Sequence, residues 1–132
     1  MLDYKVHEIE ELNLNKNTDI FVLNNNDIDL DFKIKRLFFV KSKTLQVRGN
    51  HAHKKCIQTL ICLNGKIDVT IDNSKEKKNV VLDSPLKCLT IYPGVWSSQL
   101  YDPNSSLMVL CSEIFDENDY IRDYKEFIQF HV

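Results

Sequence analysis

From residue 32 onward, short runs of β-branched and aromatic residues alternate with clusters of turn formers. That is the pattern of a β-sandwich or barrel, not of a helical protein. Strands are predicted over 32–40, 44–53, 57–63, 66–72, 79–82, 88–92, 97–101 and 107–111. In the fourth, Ile67, Val69 and Ile71 alternate with Asp68, Thr70 and Asp72, so one face is buried and the other wet. Asn64-Gly65 separates the third and fourth runs, and such a pair favours a tight hairpin whose turn positions need positive φ. Residues 72–78 form a polar turn. Asn13 to Asp31 is polar and Asn-rich around the apolar run Ile20 to Leu23, which reads as a loop with one edge strand. Helical spacing appears only at the end, where Tyr120, Tyr124, Phe127 and Ile128 fall on one face within 116–128. Acidic residues at the start of that segment suit a helix dipole. The expected architecture is all-β, with a short C-terminal helix packed on the sheet.

Composition narrows this picture. The 132 residues suit one domain, 1–132, and 43% apolar with 27% charged residues is ordinary for a globular chain. No run of about 18 apolar residues is present to span a membrane. The start, Met1-Leu2-Asp3-Tyr4-Lys5, lacks the apolar core of an export signal. Cys56, Cys62, Cys88 and Cys111 are too irregularly spaced for a zinc site and sit in apolar runs. They read as buried, reduced thiols of a cytoplasmic protein.

The formal net charge of -2 hides a strong local asymmetry. Lys33, Lys35, Arg36, Lys41, Lys43, Arg48, Lys54 and Lys55 are interrupted by no Asp or Glu. A positive pocket built from such a block in an acidic body would focus an anionic ligand. The alternative is a Lys-rich strand edge that discourages edge pairing. The overall acidity and the lack of a nucleic-acid-binding motif argue against nucleic acid as the partner.

Inside this block lies Arg48-Gly49-Asn50-His51-Ala52-His53-Lys54-Lys55. Two histidines two apart on a strand project from the same face, which marks them as a functional pair. His7 and His131 have no such context and read as surface residues. Imidazoles titrate near neutrality and suit proton transfer.

The spacing resembles the first motif of the cupin superfamily, a jelly-roll β-barrel: Gly, then His-x-His, then Glu, then Gly. Gln58 stands where the metal-binding Glu would be, with Gly65 at the matching distance. Tyr92-Pro93-Gly94-Val95-Trp96-Ser97 resembles the second motif, with Ser97 in the histidine position. An amide and a hydroxyl are poor donors for a transition metal, so no metal is expected. Residues 48–55 more closely resemble the RGxHAHK signature of the nucleotide-sugar 3,4-ketoisomerases. Phe32-Lys33-Ile34-Lys35-Arg36, Gln58-Thr59-Leu60-Ile61 and Val95-Trp96 extend the likeness. So does Asp116 to Tyr124, close to the family's DYIRDY ending, so that about residues 32 to 127 are covered.

The resemblance implies a small cupin-type barrel and a homodimer. It implies an enzyme that moves the carbonyl of a dTDP-4-keto-6-deoxyhexose from C4 to C3. The product would feed an aminotransferase making a 3-amino-3,6-dideoxy sugar for surface glycans. Departures are Asn15-Lys16-Asn17-Thr18-Asp19 where an Arg-Gly pair is usual, Phe38 and Phe39 for aromatic hydroxyls, Thr90 for a tyrosine, and Ser97.

Such an isomerisation needs no redox cofactor, in keeping with the lack of a GxGxxG or P-loop pattern. His51 is the candidate base at C3, and His53 would shuttle protons between O3 and O4 or reprotonate carbon. Sequence alone allows the reverse assignment. Arg48 is the first choice for the diphosphate, because guanidinium pairs with phosphate in bidentate fashion, and Arg36 is the second. Gln58 is a candidate hydrogen-bond partner for a ring or a sugar oxygen. Trp96 and Tyr101 are candidates for packing on the base or sugar. A non-catalytic nucleotide-sugar-binding module and a metal-dependent cupin enzyme are the competing readings.

Overall fold

The alternating runs assemble into two five-stranded antiparallel sheets packed face to face in the computed structural model, which describes residues 1–26 and 29–131. Asp27 and Ile28, within the predicted 13–31 loop, lie outside the described residues, as does Val132. The strands are β1 (Tyr4–Glu8), β2 (Glu10–Asn15), β3 (Thr18–Val22), β4 (Arg36–Ser42), β5 (Gln46–His53) and β6 (Gln58–Asn64). They continue as β7 (Ile67–Asp72), β8 (Lys77–Leu82), β9 (Lys87–Ile91), β10 (Trp96–Tyr101), β11 (Ser105–Cys111) and β12 (Tyr120–Ile121). One sheet has the order β1-β9-β6-β11-β4 and the other β12-β5-β10-β7-β8, while β2 and β3 form a separate hairpin. The result is a jelly-roll-like sandwich, not a fully closed barrel.

The core between the sheets takes alternate residues from each strand: Leu60 and Cys62, Ile67, Val69 and Ile71, Leu107 and Val109. These side chains are at most 3% exposed, as strand periodicity requires. A second apolar layer lies on the outer face of the first sheet, where Phe21, Leu23, Leu30 and Phe32 cover Ile61, Cys88 and Leu110.

Four expectations change. Asn64-Gly65 makes a turn, with Gly65 at φ 82°, but no hairpin: β6 pairs with β9 and β11, and β7 pairs with β8 and β10. Both strands bury apolar residues that need neighbours on each side, so the chain crosses between sheets here. A Cβ at Gly65 would lie 2.8 Å from the Ser105 Cα, so this crossing requires glycine.

The predicted helix over 116–128 is broken. A short 3-10 turn, Glu117–Asp119, leads into β12, and the helix α1 spans only Tyr124–Phe130. Asp116 and Asp123 cap the two turns by accepting from the backbone N–H of Asn118 and Lys125. The aromatic spacing had merged these pieces into one helix.

β1 and β2 were not anticipated. β1 completes the first sheet beside β9, and its His7 is half-buried instead of lying on the surface, with both ring nitrogens enclosed and lacking hydrogen-bond partners. His131 is exposed, as expected, and its Nε2 lies 2.6 Å from the Gly94 carbonyl oxygen.

A bulge in β5 matters most for the site. Ser97 is opposite His51 but Ser98 is opposite Gly49, so Asn50 is the extra residue. Gly49 and Asn50 both have positive φ, 86° and 59°. The bulge reverses the parity of the strand, and Arg48, opposite Gln99, therefore shares a face with His51. Gly49→Ala is expected to destabilise the fold by about 1–3 kcal/mol, because its Cβ would meet Gln99 Oε1 and the Ser97 carbonyl oxygen at 3.0 Å. Asn50→Gly should be close to neutral. Urea denaturation of both variants checks this, and equal stability of Gly49→Ala and the parent would refute the need for the bulge.

Candidate active site

Where the two sheets part at one end, they leave a cavity of about 200 Å³. Its polar wall comes from β5 and β10, through Arg48, His51 and Gln99. Gln58 on β6 adds a buried amide, and Tyr101 a ring only 1% exposed. The opposite wall is apolar, with Phe38 and Val40 of β4 and Leu107 and Val109 of β11. Tyr120 and Arg122 close the remaining side. No Asp or Glu lines the cavity among the described residues.

The two histidines occupy unlike settings. His51 lies on the cavity wall, whereas His53, 6% exposed, sits behind it. Their rings meet edge to face with centroids 5.0 Å apart. His53 Nδ1 is 2.8 Å from Asp119 Oδ2, leaving Nε2 enclosed and without a partner. Asp119 also accepts from the backbone N–H of Lys55 at 2.6 Å and of Cys56 at 3.3 Å. Burial works against its negative charge, but the His53 bond and these backbone donors outweigh it and hold the carboxyl below its usual pKa. The ionised carboxylate fixes the His53 proton on Nδ1 and leaves Nε2 as the acceptor.

His51 Nδ1 is buried without a partner of its own. Burial and then the proximity of His53 push its pKa down to about 4. His51 is therefore neutral at working pH. The Tyr120 ring lies against both imidazoles, with centroid distances of 4.4 Å to His53 and 5.1 Å to His51.

Asp119, Tyr120 and Arg122 were not singled out by sequence reasoning. All three belong to the strap over 116–123, whose acids read as helix-dipole partners. Several acidic residues there had equal claims. Only the pairing of Tyr120 with His53 and Ile121 with Ala52 shows which one lies beneath the imidazole.

The structure brings together Arg48, His51, Gln58 and Tyr101 around the cavity, with His53 behind. Gln58 Nε2 lies 3.5 Å from the Cys111 sulfur, and its partner is neither imidazole. Arg36 stands outside the lining, its Nη1 3.3 Å from the Tyr120 hydroxyl and its guanidinium facing the Phe38 and Phe115 rings. Trp96 is on the outer face of its sheet, packed against Tyr124 and Phe127 with centroids 5.2 and 5.5 Å away. Strand alternation accounts for this, since Ser97 and Gln99 take the inward positions. Of the basic block, only Arg48 lines the cavity; its six lysines are exposed.

Among the described residues, one set of donors lies close enough to hold a metal: His53, Cys56 and Asp119, within 4.8 Å of one another. The carboxylate there is already engaged with the imidazole and two backbone amides. A hydrogen bond with the Cys111 thiol, acting against burial, lowers the pKa of the Cys56 thiol. This donor set works as a hydrogen-bonded support for His53.

Residues 2–132 match the family model described as FdtA: WxcM-like, C-terminal. The chain is 41% identical over 102 residues to the TDP-4-oxo-6-deoxy-alpha-D-glucose-3,4-oxoisomerase of Aneurinibacillus thermoaerophilus, covering 75% of this chain and 73% of that one. A 3,4-ketoisomerase from Helicobacter canadensis superposes with a TM-score of 0.92 at 30% identity, covering 99% of this chain and 98% of the other. The QdtA 3,4-ketoisomerase of Thermoanaerobacterium thermosaccharolyticum, as a histidine-to-asparagine mutant in complex with TDP-4-keto-6-deoxyglucose, superposes with a TM-score of 0.88. Its identity to this chain is 32%, over 97% of this chain and 93% of that one.

A titration of the imidazole resonances by NMR should show the His51 midpoint near pH 4. Because the folded value lies below the unfolded value of 6.5, the unfolded state binds this proton more readily. The His51 contribution should therefore weaken stability as pH falls from about 6.5 to about 4, and level off below. A midpoint at 6.5 would show an imidazole open to water.

Proposed function

Because the chain belongs to the FdtA family (WxcM-like, C-terminal), we propose that it is a 3,4-ketoisomerase acting on a TDP-linked 4-keto-6-deoxyhexose. The relatives carry that activity in their names. The observation supporting it in this chain is the pair of imidazoles in unequal environments, one neutral on the cavity wall and one held from behind by a carboxylate. Groups whose surroundings set them apart in this way can divide the tasks of acid and base.

His51, facing the cavity, takes the proton from C3. The C3–H electrons form the C3=C4 double bond and the C4 carbonyl π pair moves to O4, giving an enediolate whose O4 takes a proton carried from O3. His53 is the carrier between O3 and O4; its Nε2, the acceptor position, is enclosed behind the cavity wall, so the bound sugar has to reach it past His51. The O3 electron pair left by the carried proton makes the new C3 carbonyl, and C4 receives the proton that His51 removed from C3. Atoms and electrons balance without an external oxidant or reductant. The placement of His53 behind His51 supports this order over the reverse. Asp119 compensates the charge on His53 whenever that ring is doubly protonated.

The cavity has room for a sugar ring, while Arg48, exposed at its edge, takes the diphosphate. Gln58 and Tyr101 contact the sugar. The placement of Trp96 under α1 gives no support to stacking on base or sugar.

The protein acts as a homodimer. Leu37 and Phe39, on the outer face of edge strand β4, are 46% and 59% exposed, and a second copy would cover them. No helix among the described residues is long and apolar enough to cross a membrane. The reaction belongs in the cytoplasm, where four free cysteines stay reduced. Its 3-keto product suits an aminotransferase that makes a 3-amino-3,6-dideoxy sugar for surface glycans.

The parent should convert TDP-4-keto-6-deoxyglucose to a 3-keto isomer, with solvent deuterium entering at carbon, both followed by NMR. His51→Asn should lose C3 exchange by at least about 10²-fold, and His53→Asn and Asp119→Asn should lower kcat by about 10²-fold or more. For the parent, kcat/KM should fall as pH drops through about 4, where His51 protonates. Tight TDP binding without turnover by the parent would favour a non-catalytic module.

A further inference from the structure

At the cavity opening, Arg122 and Glu117 form an ion pair that the proton-transfer scheme does not use. Arg122 Nε donates to Glu117 Oε2 at 2.6 Å and Nη2 donates to Oε1 at 3.1 Å. Their side chains are 51% and 59% exposed, and a pair so open to water adds little to stability. The pair nevertheless fixes a long side chain in a definite place. The guanidinium carbon lies 4.2 Å from the centroid of the Tyr120 ring. That ring in turn packs on His53 and His51. Arg122 also lines the cavity, and Glu117 does not.

We infer that Arg122 is a second diphosphate ligand, held over Tyr120 by Glu117 in a conformation ready to receive the substrate. Glu117 occupies only one edge of the guanidinium fork, and the remaining N–H groups are available for a phosphate oxygen. Arg48 and Arg122 approach the cavity from different elements, β5 and the strap. With no carboxylate in the lining, the two guanidiniums present a divalent positive rim suited to a dianionic diphosphate. Glu117 is a positioning residue: it stays outside the cavity and acts through Arg122. Preorganisation of this kind improves binding by removing the cost of ordering a flexible side chain.

The inference rests on the nucleotide-sugar reading and separates from it in experiment. Titration calorimetry with TDP and with thymidine is the test, on the parent, Arg122→Gln, Glu117→Gln and Glu117→Asp. Arg122→Gln should weaken TDP binding about tenfold or more and flatten its salt dependence, while leaving thymidine binding unaltered. In turnover the same variant should raise KM more than it lowers kcat. Glu117→Gln provides the sharper sign. If Glu117 were merely a nearby negative charge, neutralising it would tighten TDP binding; as the group that holds Arg122, its loss should weaken binding several-fold. Glu117→Asp, which keeps the charge, should recover part of that loss.

Equal TDP affinity in Arg122→Gln and the parent would overturn the inference while leaving the enzyme reading intact. So would tighter binding by Glu117→Gln. Failure of the parent to bind TDP would overturn both readings.

Discussion

A single buried carboxylate holds the site together. Asp119 accepts from His53, from the Lys55 amide and from the Cys56 amide, and so joins the C-terminal strap to the end of β5 and the loop beyond it. A carboxylate removed from water is costly unless its oxygens are satisfied, and these donors provide that satisfaction. Around it, the two-residue pairing of β12, the Lys54 N–H donating to the Asp119 carbonyl at 2.9 Å and Ile121 buried on Ala52 complete the attachment to β5. Once Asp119 is seated, Tyr120 must lie on the imidazoles and Arg122 must reach the cavity. The same bond determines the tautomer of His53. Orientation of the imidazole and placement of the neighbouring cation are therefore consequences of one local arrangement.

The asymmetry of the two imidazoles follows from what each one touches. His53 has a carboxylate at 2.8 Å, whereas His51 has burial and a neighbouring imidazole. A base depressed to about 4 is weak in the empty cavity. A dianion bound at the rim would favour its protonated form and strengthen it. On the proposed scheme, substrate binding and base strength would be coupled through Coulomb interaction.

Much of this was legible in the residues. The eight central strands emerged because each is a short β-branched or aromatic run bounded by turn formers, and the histidine pair emerged because a period of two places both rings on one face. Other features depend on long-range pairing that no local window contains. The Asn64-Gly65 turn has the composition of a hairpin, but the neighbours available to β6 and β7 send them to different sheets. Charge counting found a basic segment, yet its lysines are all exposed and all but Lys41 lie outside the strands, and the second cation at the cavity comes from residue 122. Arg48 would face away from His51 on a regular strand. The Gly49-Asn50 bulge corrects this, and its signal was present in the Gly-Asn pair inside an otherwise strand-like run.

The resemblance led to the expectation of aromatic hydroxyls near Arg36, where this chain has Phe38 and Phe39. Phe38 lines the cavity, and the strap supplies Tyr120, whose oxygen lies 3.3 Å from Arg36 Nη1. Tyr120 lies in the Asp119–Tyr124 stretch that the resemblance shares, so its hydroxyl replaces none, and Phe38 simply leaves the first sheet's wall apolar. The cavity is largely, not wholly, divided by sheet, because Gln58 on β6 places an amide in the otherwise apolar wall. Phe38, Val40, Leu107 and Val109 form an apolar wall on one side, while Arg48, His51, Gln99 and the strap form a polar one on the other. A 6-deoxyhexose has the same division, with a methyl group at C6 and oxygens at C2, C3 and C4. Placing the methyl on the apolar wall turns the reacting C3–C4 edge toward the imidazoles. A hexose bearing a hydroxyl at C6 would bury that group without a partner there, at a cost of about 1–3 kcal/mol. On the proposed function, the first sheet would then contribute to the reaction by orienting the ring.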